Sequence, residues 1–328
     1  MDKGIWIGID LGKATFYAAR ASAEDRPGDW RALPTREFAN DEDGIEAFVV
    51  WARGTAAQAP LDGICVESTG RLAFTLVEAL AGRVAPVSII NPRLSKNYRQ
   101  ALGMREKTDR VDACVLAFYG AQMRPKPTQI QGESQRELRE LNRHFSRFST
   151  LLVATRQQLL DTPSKQIRAS LQRTEEHFEF ELQSIQKQME EIIAADAALS
   201  ADAERIITIK GVGKRTVHVL LAELGDLRAY TRSELIGYAG LFPKRYESGT
   251  SVHRHPHMAK EGGGRIRKAL YLCAMSARTH NPQMRAIFER LVKEGKPPML
   301  ALGALMRKLL LLARTLLVQQ VDYDPAFA

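Results

Sequence analysis

Lys107-Thr108-Asp109-Arg110-Val111-Asp112 places two carboxylates three residues apart, directly behind a threonine suited to capping a helix. On a helix this spacing sets both acids on one face, one turn apart and close enough to share a cation. The same residues also suit a plain helix start, with Thr108 as N-cap and Asp109 complementing the helix dipole. Two further acids close short apolar runs: Asp10 ends Ile5-Trp6-Ile7-Gly8-Ile9, and Glu67 ends Gly63-Ile64-Cys65-Val66. Functional groups of open α/β sheets gather at the carboxyl ends of their strands. Asp10, Glu67, Asp109 and Asp112 together offer the hard oxygen ligands that Mg2+ or Mn2+ prefers. Two such ions about 3.5–4 Å apart activate a nucleophile and stabilise the leaving oxygen in phosphoryl transfer.

A second set of reactive side chains lies in the last third of the chain. Ser248 stands beside Gly249, behind Glu247 and the basic pair Lys244 and Arg245. Neighbouring cations stabilise a pentavalent phosphate, although a serine before a glycine is by itself a common loop residue. Gly211-Val212-Gly213, flanked by Lys210, Lys214 and Arg215, resembles the turn of helix-hairpin-helix modules, in which backbone N–H groups hold a phosphate. A plain glycine turn between helices fits those residues as well. His253, His255 and His257 alternate, which would put them on one face of a strand. No second ligand cluster accompanies them and Pro256 interrupts pairing, so phosphate contact or exposure suits them better than a metal site. Lys260, Arg265, Arg267 and Lys268 surround Gly262-Gly263-Gly264 at the opening of a helix, a favourable anion-binding position.

The elements that must position these groups divide into three segments. Residues 1–125 alternate apolar strands with helices: a hairpin around Gly12, a strand near Phe38, a helix over residues 41–52, strands closing at Glu67 and at Ile90, and a helix from Asp109. That alternation predicts an α/β domain on a central sheet. Asn91-Pro92 reads as the stop of the last strand. Pro125 and Pro127 mark a boundary. Residues 126–203 are polar with Leu and Ile at helical intervals, interrupted by Pro163, which predicts a long helical hairpin or coiled-coil arm. Such an arm serves equally as a solvated spacer, an oligomerisation element or an RNA contact. Residues 204–328 form a mainly α-helical domain carrying Ser248.

Composition narrows the classes of function. The 328-residue chain has a net charge of +9, and residues 241–314 hold 15 Lys and Arg against 4 Asp and Glu. Basic charge concentrated in one segment points to a polyanion, most often nucleic acid. The most apolar stretch, residues 299–318, contains Arg307, Lys308 and Arg314 and so reads as a buried amphipathic helix, not a membrane span. Cys65, Cys114 and Cys273 are isolated, with neither zinc spacing nor a disulfide framework. No secretory signal opens the chain, and a cytoplasmic, nucleoid-associated protein is expected.

Taken in order, Asp10, Glu67-Ser68-Thr69-Gly70, Asn91-Pro92, the 107–112 run and Tyr246-Glu247-Ser248-Gly249 resemble one family nearly end to end. It is that of the DEDD transposases of insertion-sequence family one-ten, relatives of the Piv/MooV invertases and known as bridge-RNA-guided recombinases. The resemblance implies an RNase H-like (RuvC-like) N-terminal domain, a coiled-coil arm and a C-terminal transposase domain. It implies that Asp10, Glu67, Asp109 and Asp112 are the acidic tetrad and Ser248 the nucleophile. It further implies attack on a DNA phosphodiester, a covalent phosphoserine, and strand exchange through a Holliday-junction-like intermediate. The partners implied are donor and target DNA, a structured non-coding bridge RNA, and further copies of the chain. The copies would form dimers that assemble into a tetramer, with the active site completed between protomers. One departure is visible: where members often carry a serine before the lysine opening the glycine-rich helix, this chain has Met258-Ala259-Lys260. Thr250 and Ser251 remain as neighbouring hydroxyls. The alternative is a metal-dependent Holliday-junction resolvase or nuclease using the four carboxylates alone, for which the long C-terminal domain has no evident use.

Overall fold

The computed structural model describes residues 4–56, 60–68, 70–128, 132–248, 252–259 and 262–325, without the side chains of residues 55, 56, 71, 244–248 and 252–257. The chain forms two compact units, Met1–Ile130 and Gln131–Ala328.

In the first unit, β1 (Ile5–Leu11), β2 (Thr15–Ser22), β3 (Thr35–Ala39), β4 (Leu61–Glu67) and β5 (Val87–Ile90) make one sheet in the order β3-β2-β1-β4-β5. β1, β4 and β5 run parallel, whereas β2 and β3 pair antiparallel, so the chain begins with a meander and continues through helical crossovers. The helices are α1 (Glu42–Ala56), α2 (Arg71–Leu80), α3 (Pro92–Ala101) and α4 (Asp109–Met123).

Strand alternation sorts the side chains between two faces. Ile7, Ile9 and Leu11 of β1 join Phe16, Phe48, Ile64, Val66, Leu76 and Leu80 in a core under α1 and α2. Trp6 and Cys65, on the other face, pack with Leu116 and Tyr119 of α4. Every residue of α4 from Ala113 to Ala121 is buried. A helix apolar all round belongs inside a fold, and α4 owes its place to small residues such as Ala113, Ala117 and Gly120. α4 crosses β1 at Gly8, where a Cβ would stand 2.1 Å from the Ala113 carbonyl oxygen and 2.2 Å from the Ala117 nitrogen. Only glycine permits that approach.

The second unit begins with α5 (Glu133–Asp161) and α6 (Lys165–Ala195), joined by a three-residue link that contains Pro163. Phe148 meets Phe178 with ring centroids 5.4 Å apart, and Arg156 pairs with Glu175 at 2.7 Å and with Glu179, as two antiparallel helices require. The ends of the pair nearest the following helices are anchored: Leu138, Ile185, Met189 and Ile193 enter one core with α7 (Ala197–Ile207), α8 (Lys214–Leu224), α9 (Arg232–Ala239), α10 (Gly264–His280), α11 (Pro282–Lys293) and α12 (Pro298–Gln319). Between α9 and α10, β6 (Pro243–Ser248) and β7 (Val252–Met258) form an antiparallel hairpin. α12 is the amphipathic helix expected from residues 299–318, with Leu302, Leu305, Leu309 and Leu316 buried and Arg307 and Lys308 exposed. Among the described residues no helix is long and apolar enough to cross a membrane.

Candidate active site

The site is assembled from the ends of two neighbouring strands and the start of one helix. Ile9 of β1 is in register with Val66 of β4, so Asp10 and Glu67 follow on adjacent parallel strands. Both point to the face that α4 covers, since each lies two residues beyond a residue packed there: Gly8 against α4, and Cys65 in the Trp6 cluster. The crossing at Gly8 aims the first turn of α4, with Asp109 and Asp112, toward the end of β1. Thr108 caps that turn as its sequence position implies, its Oγ1 accepting from the Val111 N–H at 3.3 Å.

Asp10 feels the charges of the other three acids. Asp10 is pushed up from the ordinary carboxylate value to about 7, first by burial and then by the charges of Asp112, Asp109 and Glu67, with Lys107 opposing. A half-buried carboxyl that also faces three other carboxylates resists ionisation, and Lys107 and Arg99 do not balance that negative charge. Oxygen donors without enough cations around them fit a hard divalent ion, with Asp10, Glu67, Asp109 and Asp112 as the groups to hold it. As the side chains stand, no three Asp, Glu, His or Cys groups lie close enough to hold an ion, among the described residues. Two of the acids each have one oxygen engaged by a neighbouring helix. Asp112 Oδ1 accepts from Arg99 Nη1 at 2.8 Å, and Glu67 Oε2 accepts from Ser95 Oγ at 3.0 Å.

Ser95 and Arg99 belong to α3, a helix whose start was readable. Asn91 is its N-cap, the side-chain oxygen accepting from the Arg93 N–H at 2.9 Å, and Pro92 occupies the first helical position. Asparagine followed by proline is a helix-start signal, and at residues 91–92 it serves as strand stop and helix start together.

The residues singled out in the second unit have mixed placements. Ser248 ends β6 opposite Val252, while Gly249, Thr250 and Ser251 lie outside the described residues. Lys260 also lies outside them, as do the side chains of Ser248, Lys244, Arg245, His253, His255 and His257. Lys210, Lys214 and Lys268 are exposed. Arg215 is turned inward: Nη2 donates to Asn142 Oδ1 at 2.6 Å, the guanidinium lies 3.8 Å from the centre of the Phe145 ring, and burial lowers its pKa to about 10. It ties α8 to α5 instead of facing a polyanion, which helical periodicity alone does not reveal. Arg265 grips Glu223 through Nε at 2.6 Å and Nη2 at 3.1 Å, and Arg267 Nη1 donates to the carbonyls of Ala239 and Gly262. Glu223 also accepts from Asn142 Nδ2 at 2.7 Å, so Asn142, Glu223 and Arg265 link α5, α8 and α10 through charge-assisted hydrogen bonds.

The glycine turn at Gly211-Val212-Gly213 does join two helices, α7 and α8. Gly211 has φ +98°, and a Cβ there would lie 2.6 Å from the Ala277 Cα of α10, so close packing against α10 accounts for this glycine. All three cysteines are buried and free, and burial raises the Cys65 thiol to about 12 and Cys114 to about 11. Neither is poised as a thiolate nucleophile.

Comparison with known proteins identifies two family regions. A DEDD transposase model of IS110, described as Transposase, matches residues 7–162, and the model described as Transposase IS116/IS110/IS902 family matches residues 203–289. The chain is 27% identical over 323 residues to the pilin gene-inverting protein of Moraxella bovis, covering 97% of each chain. It has the same identity and coverage with the pilin gene-inverting protein of Moraxella lacunata. A 43.6 kDa protein of insertion element IS110 from Streptomyces coelicolor is 35% identical over 104 residues, 31% of this chain and 25% of that protein.

Proposed function

Since the chain belongs to the IS110 family of DNA transposases and recombinases, we propose that it cuts and rejoins DNA by serine attack on a phosphodiester, with Asp10, Glu67, Asp109 and Asp112 as its metal-binding acids. The observation that best supports this reading is the placement of Asp10 and Glu67 at the ends of adjacent parallel strands beside the first turn of α4, which carries Asp109 and Asp112. Burial first, and those three carboxylates second, raise the Asp10 pKa to about 7. A sheet of order β3-β2-β1-β4-β5, with acids at the ends of the two central parallel strands, supports an RNase H-like assignment for the first unit. The division of labour follows the three segments: residues 1–125 hold the acids, 126–203 form a coiled-coil arm, and 204–328 carry the serine.

Divalent metal, when bound, neutralises charge on the phosphate and lowers the barrier to displacement of the leaving oxygen. The chain's own residues do the rest. Ser248 Oγ attacks the scissile phosphorus, its proton passing to a base, and the 3′ or 5′ oxygen leaves with a proton as the phosphoserine forms. Reversal of that exchange by a different DNA end rejoins the strand. Exposed Lys210, Lys214 and Lys268 contribute to a phosphate-binding surface, together with Lys244, Arg245 and Lys260. Sequence choice is delegated to a structured non-coding RNA that pairs with donor and target DNA, and the reaction requires dimers assembling into a tetramer.

Cleavage of a DNA duplex carrying the element's ends, assayed with the RNA transcribed from its flank, tests this reading. Wild-type protein cuts only with Mg2+ or Mn2+, and Asp109→Asn does not. Cleavage without metal, or unimpaired cleavage by Asp109→Asn, would remove the acidic residues from the mechanism. Retained cleavage after Ser248→Ala, with loss in Asp109→Asn, would favour the resolvase-like alternative.

A further inference from the structure

Helix α3 reaches two of the four acids with two side chains one turn apart. Ser95 is 5% exposed, and its Oγ lies 3.0 Å from Glu67 Oε2 and 3.1 Å from the Pro92 carbonyl oxygen. Arg99 Nη1 lies 2.8 Å from Asp112 Oδ1, and both of these side chains are only about a fifth exposed, 20% and 22%. Residues four apart on a helix share a face, so α3 presents a hydroxyl and a guanidinium to the site together. Each engages a single oxygen of its carboxylate. The second oxygen of Glu67 and that of Asp112 have no hydrogen bond among the described residues.

Resting on the metal-site reading above, we infer that Ser95 and Arg99 are positioning residues, which fix Glu67 and Asp112 so that the free oxygen of each serves a divalent cation. A carboxylate with one oxygen held retains one orientation, and less of its side-chain freedom is lost when the ion arrives. The hydroxyl is a neutral donor and leaves the Glu67 charge available. The guanidinium is monodentate on Asp112, so it steadies that group without covering both oxygens, as a bidentate pair would. Glu67 and Asp112 come from different elements, β4 and α4, and α3 hydrogen-bonds to both.

Titration of Mn2+ into the full-length protein by calorimetry, with thermal unfolding of the metal-free protein alongside, separates positioning from simple packing. Ser95→Ala and Arg99→Ala are expected to weaken Mn2+ binding by about 10–100-fold each, with the metal-free melting temperature little changed. Arg99→Lys, which keeps the charge and a donor, is expected to recover much of the loss, and Ser95→Thr to bind like wild type. Asp10→Asn, the control for the site itself, is expected to lose binding. Wild-type affinity in Ser95→Ala and Arg99→Ala, with binding lost in Asp10→Asn, overturns this inference and leaves the metal site standing. Tighter binding by Arg99→Ala overturns it too, because Arg99 would then be a competitor of the ion. Wild-type binding by Asp10→Asn removes the metal-site reading on which the inference rests. If Arg99→Ala unfolds, Arg99→Met retains the packing without a donor, and wild-type Mn2+ affinity in that variant with a wild-type Ser95→Ala is equally decisive against the inference.

Discussion

Gly8 of β1 and Ala113 of α4 approach so closely that a Cβ on Gly8 would stand 2.1 Å from the Ala113 carbonyl oxygen. This crossing sets the depth at which α4 lies on the sheet and therefore the distance from Asp10 to Asp109 and Asp112. Gly8→Ala pushes helix and strand apart, at a cost of about 3 kcal/mol or more in a packed interior. The variant is expected to melt several degrees lower and to show a reduced metal-induced rise in melting temperature. A wild-type response to Mn2+ in Gly8→Ala would mean that the crossing does not govern the site.

Asp10 gives the first unit a characteristic pH dependence. Its folded pKa, about 7, lies above the unfolded value near 3.8, so the folded state binds the extra proton in that window. The metal-free protein is therefore most stable on this account below about pH 4, and it loses that stability as pH rises toward 7. The penalty at pH 8 is on the order of 2–4 kcal/mol. Asp10→Asn removes it, and the metal-free variant should melt above wild type at pH 8 while matching it near pH 4. An equal or lower melting temperature at pH 8 would contradict this origin of the strain.

His218 of α8 responds in the opposite sense. It is 4% exposed, its Nδ1 finds no hydrogen-bond partner among the described residues, and its pKa is lowered to about 4, first by burial and then by Arg215. A histidine held neutral in the folded state contributes stability that is present above its unfolded pKa near 6.5 and lost as pH falls toward 4. The second unit should thus lose on the order of 2–3 kcal/mol across that range. Denaturant unfolding at pH 7 and pH 4.5 measures it, and His218→Gln should show a smaller difference between the two. An unchanged difference would assign the acid sensitivity elsewhere.

The basic segment predicts a steep salt response. With 15 Lys and Arg against 4 acids in residues 241–314, duplex DNA affinity should fall linearly on a log–log plot against salt. Lys268 is exposed, and Lys268→Ala should weaken binding across sequences alike and lower the slope by about 1. Arg215→Ala should instead destabilise the second unit, because its guanidinium holds Asn142 and covers Phe145. A slope change from Arg215→Ala with unaltered stability would return that residue to the DNA surface.

Much of the first unit was legible because apolar runs that end in acids are a strong strand signal, and the sheet follows from them. Thr108 was legible as a cap, and that role coexists with the place of Asp109 and Asp112 beside Asp10. What escaped was α3. Its sequence, Pro92 to Ala101, is polar overall, with only Leu94, Tyr98 and Ala101 as a thin apolar stripe at helical spacing, and its Asn-Pro start was read only as the end of a strand. The same signal recurs at Asn281-Pro282, where Asn281 caps α11 by accepting from the Gln283 and Met284 N–H groups. Ser95 and Arg99 were therefore missed with their helix. Arg215 was misplaced for a different reason. Its charge suggested a surface, but a cation on a helix that packs against α5 satisfies itself on Asn142 and an aromatic face, and only tertiary contact reveals that.

The central claim, serine attack in a metal-dependent DNA recombinase, is tested most directly by locating the covalent bond. Wild-type protein, incubated with Mg2+, the flanking RNA and a nicked DNA that traps the intermediate, is digested, and the nucleotide-bearing peptide is identified by mass spectrometry. The expected result is a phosphonucleotide on Ser248, absent from Ser248→Ala and from Asp109→Asn. Cleaved DNA with no adduct, or an adduct on Thr250, Ser251 or any other residue that persists in Ser248→Ala, would contradict it.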